Sequence, residues 1–207
     1  LGNSFAFRQN VTSAGSSITI EWKSSRLEIH QTMTLNDNTL EIEMRIENVS
    51  EISFEAGIRY IFDTYLGEGD IHFRTDSLEI TGERSFSSDY PDYILSGATD
   101  QGIYFALSES GFDTPDRIVM ANWKRLDDTS WSYTVNTNRN FNLLPYSIND
   151  SAIAFYYEPQ RLAAGNARSI SLLLTPELES ETEQAGTTSS GSSRSSTSST
   201  GTSRLPP

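Results

Sequence analysis

The sequence predicts an all-β protein, an antiparallel two-sheet β-sandwich or its enlarged supersandwich form, and three observations carry that prediction. Apolar and polar residues alternate from Ile18 to Phe62 with a period of two. Helical periodicity is nearly absent along the whole chain. Turn-forming residues punctuate the apolar runs at short intervals. Successive side chains of a strand face opposite sides of a sheet, so a period of two gives each strand one dry and one wet face. That is the signature of an antiparallel sheet covered on one side, the unit from which sandwiches are built.

A short leading strand around Phe5 and Phe7 is expected first, followed by strands near 17–23, 26–35 and 38–49. Ile18, Ile20 and Trp22 face one way against Thr19, Glu21 and Lys23, and Leu40, Ile42, Met44 and Ile46 oppose Glu41, Glu43, Arg45 and Glu47. Asn36-Asp37-Asn38 separates two of these strands; Asn and Asp tolerate left-handed backbone and bond their own main chain, which marks a tight hairpin. Phe54 to Leu66 sets Ala56, Ile58, Tyr60 and Phe62 against Gly57, Arg59, Ile61 and Asp63. The second face is not purely polar, which predicts a central strand covered on both sides. Further strands are expected near 78–84, 102–108, 117–123, 152–158 and 167–175, giving ten or so in two sheets. Residues 124–150 are polar, aromatic and aperiodic; a connection of that length is functional or folds back on the body.

Composition divides the chain. From Glu177 apolar residues nearly vanish, and Ser, Thr and Gly dominate through Ser203. Such a segment buries too little surface to offset the entropy of ordering its backbone. Residues 1–176 are therefore predicted as one folded domain and 177–207 as a disordered linker or tail, which implies a longer, multi-module parent. Leu1 stands where a start methionine would, so the sequence is expected to be a processed chain or a fragment.

The formal net charge is −13, from 15 Lys and Arg against 28 Asp and Glu. Four glutamates and two arginines give the tail −2 of this, leaving −11 on the predicted domain. An acidic surface repels phosphate backbones, which argues against nucleic acid as a partner. There is no cysteine, so disulfides, thiolate chemistry and cysteine-held zinc are excluded. No apolar stretch approaches the ~20 residues needed to span a bilayer. Gly-x-Ser-x-Gly, phosphate-loop and dinucleotide motifs do not occur.

Two clusters could carry chemistry. Asp63, Glu68 and Asp70 surround a glycine-containing strand end, and oxygen ligands on a short loop are what calcium takes. The spacing is not that of an EF-hand, and the preferred reading is that Asp63 orders the loop by accepting backbone N–H bonds. No organic cofactor is expected; calcium is the one ion these residues admit. The second cluster is Trp123, Trp131, Tyr133 and Tyr146 with Asp116, Arg117, Asp127 and Asp128. Exposed aromatics stack on sugar faces while neighbouring carboxylates bond hydroxyls, so Trp123, Trp131, Tyr133, Asp116, Arg117 and Asp128 are the candidate glycan-binding residues. The competing and preferred reading is a structural plug closing one end of the sandwich. His30 falls on the wet side of its strand. His72 follows the acidic loop and could pair with Asp63 or Asp70 as acid and base on a sugar ring.

Three segments together carry a family resemblance. They are Gly57-Ile58-Arg59-Tyr60-Ile61-Phe62-Asp63-Thr64-Tyr65-Leu66-Gly67 with Asp70; Pro115-Asp116-Arg117 with Ala121-Asn122-Trp123, Asp128, Trp131 and Tyr133; and Ala152-Ile153-Ala154-Phe155-Tyr156-Tyr157-Glu158-Pro159 with Leu162-Ala163-Ala164-Gly165. This trio resembles an uncharacterised family of bacterial extracytoplasmic β-sandwich domains from modular envelope and surface proteins, over about 55–175. Members often carry Asn-Asp-Gly-x-Pro-Phe after the Asp-Thr strand; Gly69-Asp70-Ile71-His72-Phe73 keeps the Asp and Phe and loses the Asn and Pro. The domain shape is similar to galactose-mutarotase-like sandwiches, a likeness of fold and not of activity. The resemblance implies a non-catalytic module, periplasmic or on the cell surface, that binds a glycan or an envelope protein or serves as a spacer. A mutarotase-like epimerase or lyase and a calcium-stabilised adhesion domain are the alternatives.

Overall fold

The computed structural model describes residues 7–64, 71–98 and 101–176. The expected tail at 177–207 lies outside them, as do Phe5, Glu68 and Asp70. Two hairpins open the fold: β1 (Arg8–Ala14) with β2 (Ser17–Lys23), and β3 (Leu27–Asn36) with β4 (Thr39–Asn48). Gly15 turns the first at a φ of 59°, and Asp37 turns the second at a φ of 51°, within the predicted Asn36-Asp37-Asn38 turn. There follow β5 (Phe54–Asp63), β6 (Phe73–Arg74), β7 (Glu79–Ile80), β8 (Arg84–Phe86), β9 (Ile94–Ala98) and β10 (Gln101–Phe105). The chain ends in β11 (Arg117–Asn122), a one-turn helix α1 (Trp123–Asp127), β12 (Ser151–Leu162) and β13 (Ala167–Thr175).

Among the described residues these strands form two antiparallel sheets. The larger runs β1-β2-β3-β4-β13-β10-β9-β6-β7 and the smaller β5-β12-β11-β8. Register explains why the alternation in sequence becomes a core. Ile29 faces Ile46, Met33 faces Ile42, Met44 faces Ile170 and Ile42 faces Leu172, so one face of the larger sheet is a continuous apolar surface. The smaller sheet answers with Ile58, Ile118, Met120, Ile153 and Phe155. Phe62, Phe105 and Phe155 meet edge-on or tilted, with centroids 5.1–5.9 Å apart. Each fully buried Ile or Phe contributes about 1.5–3 kcal/mol. The wet face of β2–β4 keeps Glu21, Glu28, Glu43 and Glu47, with His30 within 3.3 Å of Glu21 and 3.6 Å of Glu28.

Several expectations are corrected. The leading strand is β1, whose residues are exposed throughout; its polar sequence carries no alternation, and pairing with β2 alone defines it. The strand expected at 78–84 is two short pieces, broken where Gly82 and Glu83 turn toward the 137–140 segment. The strand expected at 117–123 stops at Asn122 because that side chain caps α1, accepting from Arg125 N at 3.3 Å. Within its sheet β5 is terminal, not central. Its two covered faces have separate causes: the core on one side, and the 123–150 connection on the other.

That connection makes a third layer. Val119, Ala121, Leu126, Tyr133, Ala152, Ala154 and Tyr156 form a second apolar cluster on the outer face of the smaller sheet, with Ile61, Trp123, Trp131 and Val135 packed against it. β12 is thereby enclosed on both faces, and residues 151–157 are all buried. A register shift between Tyr157 and Gln160 accommodates Pro159, which has no N–H to give the ladder. Gly57 sits opposite this irregularity. A Cβ there would lie 2.7 Å from Trp131 Cη2 and 2.9 Å from Pro159 N and Tyr157 O. Two of these three neighbours are backbone and cannot move aside, so Gly57→Ala is expected to lose about 1–3 kcal/mol. Urea denaturation measures this; a midpoint unchanged from wild type would contradict the packing described.

Candidate functional site

The long connection is held to the body by two polar anchors, and they decide where its side chains point. The first is Asn122, fully buried, whose Nδ2 donates to Phe141 O at 2.8 Å, Ser147 Oγ at 2.9 Å and Asp150 O at 3.0 Å. The second is Glu83, whose side chain is 0% exposed. Its Oε1 accepts from Arg125 Nη1 at 3.0 Å and from the Tyr133 hydroxyl at 2.7 Å, and its Oε2 from Asn136 N at 2.9 Å. Arg139 Nη1 stands 3.6 Å away. Arg125 completes the arrangement by donating to the carbonyls of Asn140 and Asn142. A buried carboxylate is tolerable only when its lone pairs are filled in this way.

The predicted glycan-binding residues are not gathered at one place. Asp116 and Trp123 bracket β11, and a six-residue strand holds its ends about 20 Å apart. Asp116 is exposed and its carboxylate accepts from Glu158 N at 2.7 Å. Arg117 lies over the Tyr156 ring at 4.3 Å and donates to Tyr133 O at 3.2 Å. Trp131 meets Tyr156 edge-on at 5.8 Å, and Arg59 donates to the Trp131 carbonyl. Tyr133 is 7% exposed. Trp123 is half-buried at the start of α1, and Asp128 at its end pairs with Lys124. Trp131, Tyr133 and Arg117 thus take part in the third layer, as the plug reading expects.

Tyr146 is the aromatic that the connection exposes. It is 78% exposed, between Leu144 at 73% and Ile148 at 69%. The turn that carries them is tight: Tyr146 N donates to Leu143 O at 2.7 Å, Leu143 and Ser147 exchange backbone bonds at 2.9 Å, and Asn149 N donates to Asn142 Oδ1 at 2.6 Å. Leu144-Pro145 is a cis peptide. Asn122 holds the base of this turn through Ser147, so the apolar tip projects from a fixed support.

A second surface feature is a cleft of about 310 Å³ between 78–84 and 137–140. Glu83 N donates to Arg139 O at 2.8 Å and ties the two walls together at the floor. Gly82 permits this approach, since a Cβ there would stand 2.6 Å from Arg139 O.

Of the predicted metal ligands, Asp63 is exposed at the end of β5, and Glu68 and Asp70 lie outside the described residues. Among the described residues no three His, Asp or Glu side chains converge on one point. Asp150 is the carboxylate that feels Asp63: burial and the Asp63 charge push its pKa up, against a lowering hydrogen bond from Ser147. His72 is 2% exposed with its ring 4.5 Å from that of Phe141, within the body of the fold. An acid acting on a sugar ring needs an open face, and this imidazole has none.

Sequence reasoning did not single out Glu83, Asn122 as an anchor, or the cleft. Glu83 lies 42 residues from Arg125 and 50 from Tyr133, and no local pattern signals their meeting. Tyr146 was legible as an aromatic of the connection beside Trp123, Trp131 and Tyr133, though not as the exposed one.

No helix among the described residues is long and apolar enough to cross a membrane. The sequence matches no known family profile and no curated protein. Similar solved structures include a galactose mutarotase related enzyme from Lactobacillus acidophilus, at 14% identity and a TM-score of 0.41, covering 84% of this chain and 72% of that one. The Slr1438 protein from Synechocystis sp. PCC 6803 is similar at 10% identity and a TM-score of 0.48, covering 83% and 66%. The galactosidase domain of an alpha-galactosidase-sucrose kinase gives 12% and 0.34, covering 84% and 27%.

Two outcomes follow from the anchors. Glu83→Gln leaves Arg125 facing a neutral amide in a largely buried place, and is expected to cost about 3 kcal/mol in urea denaturation; no loss would contradict the anchoring role. Burial, then the bond to Glu83, raises the pKa of Tyr133; burial, then the Asp113 charge, raises that of Tyr157. Above pH about 10 the unfolded chain releases these protons while the folded chain keeps them. Stability therefore falls as pH rises through that range, and tyrosinate absorbance from these two residues should appear together with loss of the sheet's circular dichroism. Complete tyrosinate formation with the sheet signal intact would contradict this.

Proposed function

We propose that this chain is a non-catalytic binding module of a bacterial cell-envelope or surface protein, and that a glycan stacks on Tyr146. The observation that carries the reading is the pairing of exposure with rigidity at the 143–148 turn. An aromatic ring 78% exposed has no packing role of its own, yet its turn is fixed at the base by a fully buried asparagine. Pre-ordering the backbone that carries the ring lowers the entropy lost when a ligand stacks on it. Tyr offers a broad apolar face and a hydroxyl for the rim of a sugar.

Trp123, Lys124 and Asp128 lie on or beside α1, whose cap Asn122 also holds the base of the Tyr146 turn. They supply hydrogen-bonding groups for sugar hydroxyls beside the ring. Trp131, Tyr133 and Arg117 support this end from beneath. The non-catalytic part rests on the buried carboxylate Glu83 and on His72, the histidine that the sequence offered as an acid. Glu83 is occupied by Arg125, Tyr133 and Asn136, and His72 is enclosed. The envelope setting rests on the three-segment resemblance and on the Ser/Thr/Gly-rich composition after Glu177. Calcium at Asp63 remains a secondary proposal, tested by whether a chelator lowers the melting temperature.

Tyr146→Ala is the direct test, since the side chain packs on little and its removal should leave the melting temperature unchanged. A glycan array should show binding by the wild type, and about tenfold weaker binding of the same glycans by the variant. Equal binding by both proteins would remove Tyr146 from the site and with it this reading.

A further inference from the structure

The cleft between 78–84 and 137–140 carries a charge pattern that the fold does not account for. Glu83 lies beneath its floor and is already neutralised by Arg125 at 3.0 Å. Glu79 on one wall has Arg74 at 3.9 Å. Two arginines remain on the lining. Arg139 Nη1 lies 3.6 Å from the Glu83 carboxylate that Arg125 already holds at 3.0 Å and donates to the Tyr133 hydroxyl at 3.3 Å, while its side chain is 44% exposed. Arg84 is exposed and makes no ion pair among the described residues; its guanidinium lies 5.8 Å from the Phe86 ring, which orients it. A chain of net charge −13 thus presents a concave site where two guanidiniums share the lining with one open carboxylate, that of Glu79.

We propose that this cleft binds a uronic-acid unit of an acidic glycan, its carboxylate held by Arg84 and Arg139. A guanidinium presents two parallel N–H donors that match a planar carboxylate. The remaining walls offer the hydroxyls of Thr81 and Thr137 and the amide of Asn138, groups that exchange hydrogen bonds with ring hydroxyls. The volume of about 310 Å³ sits at the small end of ligand pockets, suited to one ring and not to an extended ligand. The walls are fixed before binding: Glu83 N to Arg139 O joins them, and Arg139 N donates to Asn136 O at 2.8 Å. The site is independent of Tyr146 and stands or falls without it.

Calorimetric titration of the full chain with trigalacturonate, a neutral galactose trisaccharide and inorganic phosphate tests the assignment, repeated on Arg84→Gln. Arg84 is exposed and makes no ion pair among the described residues, so its variant folds as the wild type does. The expected result is binding of trigalacturonate alone, about tenfold weaker in Arg84→Gln. Equal affinity for the neutral sugar, phosphate binding as tight as trigalacturonate, or indifference to Arg84→Gln would each overturn the proposal. So would the absence of any trigalacturonate binding.

Discussion

A carboxylate withdrawn wholly from water is the constraint around which the outer part of this fold is organised. Glu83 cannot remain ionised in the interior unless donors fill its oxygens, and the donors available are Arg125, Tyr133 and the Asn136 amide. All three belong to one connection. Satisfying the acid therefore draws residues 123–140 against the outer face of the smaller sheet. The same move covers Val119, Ala121, Ala152 and Ala154, whose small side chains leave room for Leu126, Trp131 and Tyr133 above them. Polar pairing selects the arrangement, and apolar burial supplies most of its stability.

The two proposed binding surfaces follow from that layer and not from the sandwich itself. Asn122 ends β11, caps α1 and grips the base of the 143–148 turn, so a single side chain couples the sheet to the exposed tip. Glu83 and its neighbour Gly82 bring 78–84 against 137–140 and leave the cleft between them. Both features are rigid because the alternative, a connection lifted off the sheet, would leave a charged acid and a buried amide without partners. Such groups cost more unpaired than their bonds contribute when made.

The sheets were legible in the sequence wherever one face is wet. Ile42-Glu43-Met44-Arg45-Ile46 reads directly as a strand because its polar members remain in solvent. Ser151 to Tyr157 has no alternation because both its faces are covered; a strand was expected near 152–158, but its burial on both sides was not. β1 was misplaced because Arg8 to Ala14 is exposed on both faces and only its edge pairs with β2, so burial left no trace in its composition. The five-residue α1 is too short for a helical period to register. At the surface, composition marked the 123–150 segment, and burial divides its aromatics. Trp131 and Tyr133 have the same sequence character as Tyr146; what separates them is that Gly57 and Glu83, both distant in the chain, provide places to bury the first two.

Native-state amide hydrogen exchange on the full chain tests the third layer most directly. The account predicts that the amides of Trp123, Asn136, Arg139 and Ser147, which donate to Asp150 O, Glu83 Oε2, Asn136 O and Leu143 O, exchange nearly as slowly as those of Ile153 and Phe155 in β12. Exchange of those four at the rate of an unstructured peptide, with β12 still protected, would contradict it.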